Sequence, residues 1–350
     1  MYPDIPLIVS LVFVLGGFAA LAWSSDFFVG GASMLAKALG ISPFVIGMVI
    51  IGFGTSAPEL CVSAMSGAGG HPGLSLGNAY GSCTFNIAVI LGVSAMILPL
   101  VVKPAVAFVA GPTLAAIALF SMFLLRDGAC TRTEALILLA SFAVLLPAYC
   151  WFDQKTKDGE SCDEKPVGRA NAKWSQDPRY QAIVRGRIFS GAWKTAVGLA
   201  VLVGSAHVLV WGAVDFAQFI GVSDLVIGLT IVAVGTSLPE LASAIASARR
   251  GEHEFVLGNI IGSNFFNTLA VVGLATSITP ILPPEHAFSP CILTRDLPLV
   301  AVLSISITLF GVNWRHPKWP GAINRKKAVV WLAVFVAYTV LMFLQETGRL

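Results

Sequence analysis

Moved along itself by 181 residues, the sequence lays positions 31–100 on 212–281 without a gap, and 27 of the 70 aligned residues are identical. The matches go beyond hydrophobic type. GTSAPEL (54–60) meets GTSLPEL (235–241), LGN (76–78) meets LGN (257–259), and GSCTFN (81–86) meets GSNFFN (262–267). Gly92 and Pro99 find Gly273 and Pro280. A repeat of this length means that one structural unit is used twice and packs against its own copy.

The solvent of that unit is read from composition. Hydrophobic types make up 56% of the 350 residues and charged types 12%, whereas soluble domains are roughly a quarter charged. Apolar runs lie near 5–38, 42–68, 74–99, 104–125, 133–152, 191–220, 224–248, 255–282, 295–313 and 327–345. A spanning helix needs roughly 20 such residues, and none of the runs alternates as barrel strands do. The expected fold class is therefore an all-α membrane protein with ten transmembrane helices. The first run has no basic leader, since Asp4 is its first charge, and it reads as a retained helix rather than a signal peptide.

Each half holds five spans. Five is odd, so the second half enters the membrane in the opposite sense, giving two inverted five-helix repeats. Residues 1–152 form the first, with its motif at 52–86, and residues 191–350 the second, with its motif at 233–267. The mixed-charge stretch 153–190 reads as a solvated cytoplasmic linker. Alternate assignment of the loops puts 18 of the 22 basic residues on one side, which makes that side cytoplasmic and both termini external. The net charge of +3 follows from this bias and does not indicate nucleic acid. The six cysteines show no metal-ligand spacing; a Cys130–Cys291 bridge is conceivable in an oxidising compartment.

The chemistry is carried by polar residues inside the apolar runs. An ionised carboxylate at mid-bilayer costs from about 3 to above 10 kcal/mol, yet Glu59 and Glu240 recur at one repeat position with no Lys or Arg in either helix. A mobile cation is the natural partner; the alternative is a protonated structural Glu. Thr55 and Thr236 stand four residues before these glutamates, on the same helical face. Pro58 and Pro239 leave the carbonyls of Gly54 and Gly235 without their helical donors, and such carbonyls survive in a membrane only where an ion, water or protein satisfies them. Ser82 and Asn86, like Ser263 and Asn267, are again four apart. Two carboxylates, hydroxyls, amides and carbonyls form an all-oxygen set suited to hard cations such as Ca²⁺ or Na⁺. Two carboxylates balance one divalent or two monovalent ions, which sets the two loads in competition. A third Na⁺ would leave one positive charge and make transport voltage-sensitive.

Asp26 and its repeat mate His207 either pair or relay protons, or each bonds locally near a helix end. Asp215 has no mate and no assigned role. His71, Glu252 and His253 read as solvated loop residues.

The paired GTSAPEL…GNAYGSCTFN and GTSLPEL…GNIIGSNFFN segments resemble the two α-repeats of the cation/calcium exchanger superfamily, and most closely its bacterial sodium/calcium exchanger branch. The resemblance implies Na⁺/Ca²⁺ antiport by alternating access across a bacterial inner membrane, with the first two helices of the two halves sliding against a fixed core. It implies Ca²⁺ and Na⁺ binding by Glu59 and Glu240, and Na⁺ binding by the hydroxyls of Thr55, Ser56, Ser82, Thr236, Ser237 and Ser263. The carbonyls of Gly52 and Ala233 match further Na⁺ ligand positions. No permanent cofactor and no enzymatic activity are expected, and the chain is expected to work as a monomer. Two positions depart from the pattern. Asn267 is often Asp in this branch, which leaves stoichiometry and any K⁺ or H⁺ role open. Cys83 replaces a usual Asn, kept as Asn264 in the second repeat, and is expected to affect packing more than binding. H⁺/Ca²⁺ exchange and a passive channel remain the rival readings. An intramembrane hydrolase would need a nucleophile–base pair, an Asp pair or HExxH, and none is arranged here.

Overall fold

The computed structural model describes residues 7–70, 72–157, 178–219, 233–282 and 288–346. Its first helix, α1, is Leu7–Leu39. A broken span follows: α2 (Pro43–Thr55) and α3 (Ala57–Ala68), inclined at 45°. Then come α4 (Gly73–Ile97), α5 (Pro104–Leu124) and α6 (Arg132–Lys157). The second half repeats the order with α7 (Pro178–Phe219), the short α8 (Ala233–Gly235), α9 (Leu238–Arg249), α10 (His253–Ile278), α11 (Ile292–Gly311) and α12 (Arg325–Glu346). Among the described residues eight helices are long and apolar enough to span, nine with the broken pair. The remaining expected span, 224–248, is described only from Ala233. Within the stretch 153–190, α6 runs on to Lys157 and α7 begins at Pro178.

Two small backbone pairings establish the inversion. Leu100–Val102 pairs antiparallel with Gly321–Ile323, and Cys130 exchanges both backbone bonds with Ile281 at 2.9 Å. The first joins the α4–α5 connection to the α11–α12 connection. The second joins α5–α6 to α10–α11, which are the repeat counterparts in reverse. Connections at the two ends of α5 lie on opposite sides of the membrane, so each connection and its repeat mate do too. The expected inverted arrangement is the observed one. Cys130 and Cys291 are both free thiols, so the conceivable bridge is not formed; Cys130 is buried beside its Ile281 pairing instead.

The buried apolar residues fall into two clusters. The larger joins α2, α4, α10, α5 and α11 through residues such as Met48, Tyr80, Ile87, Ile261, Phe265 and Leu303. At its centre α10 is wholly buried. There Gly262 lets the backbone of α2 approach: a Cβ at this position would stand 2.3 Å from the Met48 carbonyl oxygen. The smaller cluster lies along α1 and α7, with Phe28, Val29, Ala32, Leu202 and Ala206 facing Ile46, Ile51 and Ala246. These two helices zip together through symmetry-related close approaches. A Cβ on Gly17 would meet Leu209 at 2.9 Å, and one on Gly198 would meet Phe28 at 2.7 Å. On the outside, Ile8, Leu15, Phe18, Phe189 and Val336 are exposed, as lipid-facing helices require.

Candidate functional site

The broken spans place the carboxylates. Pro58 sits in the first turn of α3 and Pro239 in the first turn of α9, where the missing N–H would lack a helical partner in any case. The preceding helices end at Thr55 and Gly235, and Ser56 (φ −83°, ψ 5°) and Ser237 (φ −93°, ψ 8°) stand two residues before the prolines. Both serines occupy the sparsely populated bridge region that active-site residues often use. The backbone stays connected through the break: Ser56 N–H donates to the Gly52 carbonyl and Leu60 N–H to that of Ser56, both at 3.1 Å. The expected loosening at the prolines is thus a one-residue break at Ser56 in the first half and a two-residue turn, Thr236–Ser237, in the second.

Ser-X-X-Glu at a helix start is the sequence of a capping box. Here neither serine caps its own helix. Ser56 Oγ donates across the molecule to Glu240 Oε1 at 2.9 Å, and Ser237 Oγ donates to Glu59 Oε1 at 3.1 Å. Ser56 Oγ is also 3.0 Å from Ser263 Oγ, and Ser237 Oγ is 3.3 Å from Ser82 Oγ. The four contacts form two pairs related by the repeat. They stitch the α3 and α9 starts to α10 and α4, with each carboxylate in the first turn of a half-helix where the dipole favours negative charge.

The inner face of this stitching is fully buried and incompletely bonded. Glu59 and Glu240 have no exposed surface. Among the described residues Oε2 of each, Asn86 Oδ1, both side-chain atoms of Asn267 and Asn264 Nδ2 have no hydrogen-bond partner. Buried polar atoms are nearly always paired, so a cluster of unpaired ones marks a place built for something else. Asn86 and Asn267 both lie in π-wound turns, Asn86–Leu91 and Phe266–Val271, a local winding common at functional sites. The Gly52 carbonyl reaches the cluster through Ser263 Oγ, 3.5 Å away. Thr236 borders the Ser237 kink and is half-buried. Ala233 begins α8. No group of three or more His, Cys, Asp or Glu side chains converges among the described residues, so the donors here are carboxylate, hydroxyl, amide and carbonyl oxygens.

Some sequence expectations shift. Thr55 and Glu59 lie on either side of the kink rather than on one continuous helix. Thr55 Oγ1 is 3.0 Å from the Ile51 carbonyl and 3.2 Å from Asn259 Oδ1. Asn259 was not singled out from sequence, although LGN recurs in both halves. Its amide nitrogen bonds Ser243 Oγ at 3.0 Å and the Glu240 carbonyl at 3.4 Å, tying α2 to the helix that carries Glu240. Cys83 Sγ is 3.4 Å from Thr268 Oγ1, a side-chain contact between α4 and α10. Asp26 does not meet His207. It meets Arg250, whose Nε is 3.7 Å from Oδ1. Asp215 accepts a hydrogen bond from Ser10. Glu252 is not a solvated loop residue: Ser33 Oγ donates to it at 2.8 Å, and burial pushes its carboxyl above the usual range.

Inverted halves meeting at broken helices around a buried, oxygen-lined cluster define a secondary membrane transporter. The chain belongs to the sodium/calcium exchanger protein family, whose model matches residues 9–150 and 190–344. It is 36% identical over 338 residues to the CaxA protein of Alkalimonas amylolytica, covering 96% of this chain and 99% of that one. It is 30% identical over 365 residues to a sodium/calcium exchanger of Methanosarcina acetivorans, covering 96% and 99%. Among solved structures it superposes on the sodium-calcium exchanger NCX_Mj soaked with 2.5 mM Na⁺ and 10 mM Sr²⁺, with a TM-score of 0.75, 27% identity, and 95% and 98% coverage. The family is one of transporters, not of catalysts, and the protein is a multi-pass membrane protein.

Proposed function

We propose that the protein is an antiporter that exchanges Ca²⁺ for Na⁺ at the Glu59–Glu240 cluster by alternating access. The observation that carries this reading is the set of unpaired oxygens facing inward from two fully buried carboxylates that no basic residue neutralises among the described residues. One Ca²⁺ compensates both charges, as do two Na⁺ ions, so occupancy by one load excludes the other. The ligands in this reading are Glu59, Glu240, Ser56, Ser237, Ser82, Ser263, Thr55, Thr236, Asn86 and Asn267, with the carbonyls of Gly52 and Ala233. Because Asn86 and Asn267 are neutral, these ligands include two carboxylates. Hard-cation affinity depends on ligand charge count, and neutral amides favour release of the divalent ion.

Alternating access is supported by the separate apolar cluster along α1 and α7, which lets a zipped pair shift on the core without opening it. In this reading both termini lie outside a bacterial plasma membrane, as the lysine and arginine bias supports, and the protein works as a monomer, since the proposed ligands all come from one chain. The test is isotope flux in proteoliposomes. Radioactive Ca²⁺ uptake is followed against imposed Na⁺, K⁺ and H⁺ gradients, in wild type and Glu240→Gln. An outward Na⁺ gradient alone drives uptake in wild type, and the variant loses it. Uptake driven by a pH gradient with no response to Na⁺ overturns sodium coupling; unchanged uptake in the variant overturns the site.

A further inference from the structure

The seam between the α1–α7 pair and the core carries a polar ladder at one end. Asp26, Gly30 and Ser33 share one face of α1 by their spacing. Against them lie Arg250 and Glu252, from the turn that joins α9 to α10. Arg250 Nη2 donates to the Asp26 main-chain oxygen at 2.8 Å, and its Nε stands 3.7 Å from the Asp26 carboxylate. Ser33 Oγ donates to Glu252 Oε1 at 2.8 Å. The guanidinium rests on Gly30, where a Cβ would be 3.2 Å from both Nη1 and Nη2. It borders a groove of about 420 Å³ whose other walls include Trp23, Phe27, Met34 and Lys194. The rungs span roughly 10 Å of α1 at the helical rise, so an axial shift of that helix by one turn breaks both together.

Among the described residues the other half shows no such ladder. The 181-residue offset puts His207, Trp211 and Val214 in the places of Asp26, Gly30 and Ser33, and Gly69 in the place of Arg250. Glycine has no side chain with which to form either Arg250 bond. A molecule symmetric at its ion cluster is therefore fastened unequally at its two ends.

We propose that Arg250 and Glu252 are positioning residues for transport, holding the α1–α7 pair in register with one end of the core and so favouring one of the two access states. This inference rests on the alternating-access reading above. The favoured state is the one in which Asp26 and Ser33 meet these partners. A ligand must then overcome the ladder to reach the other state, which lowers apparent affinity on one membrane face relative to the other.

The test compares the two faces. Half-saturating Ca²⁺ is measured in right-side-out and everted membrane vesicles for wild type, Arg250→Gln, Ser33→Ala and Arg250→Lys. We expect Arg250→Gln and Ser33→Ala to move the ratio of the two values in the same direction by about five-fold or more, the lower end of ordinary coupling between states. Arg250→Lys, which keeps a charge and a donor, recovers part of the shift. General loss of stability would move both faces alike and leave the ratio fixed. An unchanged ratio in the variants, with active transport retained, overturns the inference. If Arg250→Gln does not accumulate in the membrane, the Ser33→Ala ratio decides alone. Full exchange in Glu59→Gln would instead overturn the site reading, an outcome separate from the ladder.

Discussion

The two halves agree at the centre and diverge outward. Ser56 and Ser237 cross to Glu240 and Glu59 at 2.9 and 3.1 Å, close to a two-fold arrangement. One step out, the match loosens. Asn259 links Thr55, Ser243 and the Glu240 main chain, whereas its mate Asn78, half-buried, bonds Ser63 at 3.2 Å. Ser63 and Ser243 are themselves not repeat mates. At the edge, Arg250 stands opposite Gly69. In the proposed cycle, symmetry is kept where a cation would be handled in the same way from both sides. It is relaxed where the two ends of the molecule do different work.

The largest expected effect tests the symmetric centre. Glu59→Gln and Glu240→Gln each weaken Ca²⁺ binding by on the order of 100-fold or more, since divalent affinity follows the ligand charge count. Calorimetric Ca²⁺ titration of the purified variants checks this, and a loss confined to one of them would break the equivalence. Next comes the buried crossing of α2 and α10. Gly262→Ala brings a methyl group against the Met48 carbonyl and destabilises by about 1–3 kcal/mol, visible as a lower Tm in detergent. Asn259→Ala leaves Thr55, Ser243 and the Glu240 carbonyl short of a partner and costs about 1–3 kcal/mol. Asn78→Ala costs roughly 0.5–1 kcal/mol, so equal losses would show that the outer layer is as symmetric as the centre. The smallest effect is Cys83→Asn, which restores the residue of the second half. A thiol is a weak hydrogen-bonding group, so exchange rate changes by less than about two-fold.

Much of this was legible in the sequence because lipid makes polar residues conspicuous. A Glu in an apolar run needs an explanation, and the duplication displayed that Glu twice, together with the proline kink and the serines. The inverted architecture followed from counting spans. The sequence could not say which serine serves which carboxylate, because Ser-X-X-Glu reads as a local cap and the real bonds run between halves. Asn259 was hidden for a related reason: its partners come from three separate stretches of chain. The Asp26–Arg250 contact lies outside the repeat's matched positions, so self-comparison pointed Asp26 at His207 instead. Patterns repeated within one chain can be read from it, while unrepeated contacts between distant segments need the fold.

The crossed serines also bear on how the molecule comes together. Their hydroxyls and carboxylates are separated by 184 and 178 residues, so the cluster cannot exist until the last half has been inserted. Until then Glu59, in the first turn of α3, lacks the serine that bonds it in the complete molecule. Contacts of such long sequence separation form late in folding. A first half made alone would carry this defect permanently, and the second half, supplied as a separate chain, would complete it. The crossed bonds are thus satisfied only when both copies of the unit are present and docked.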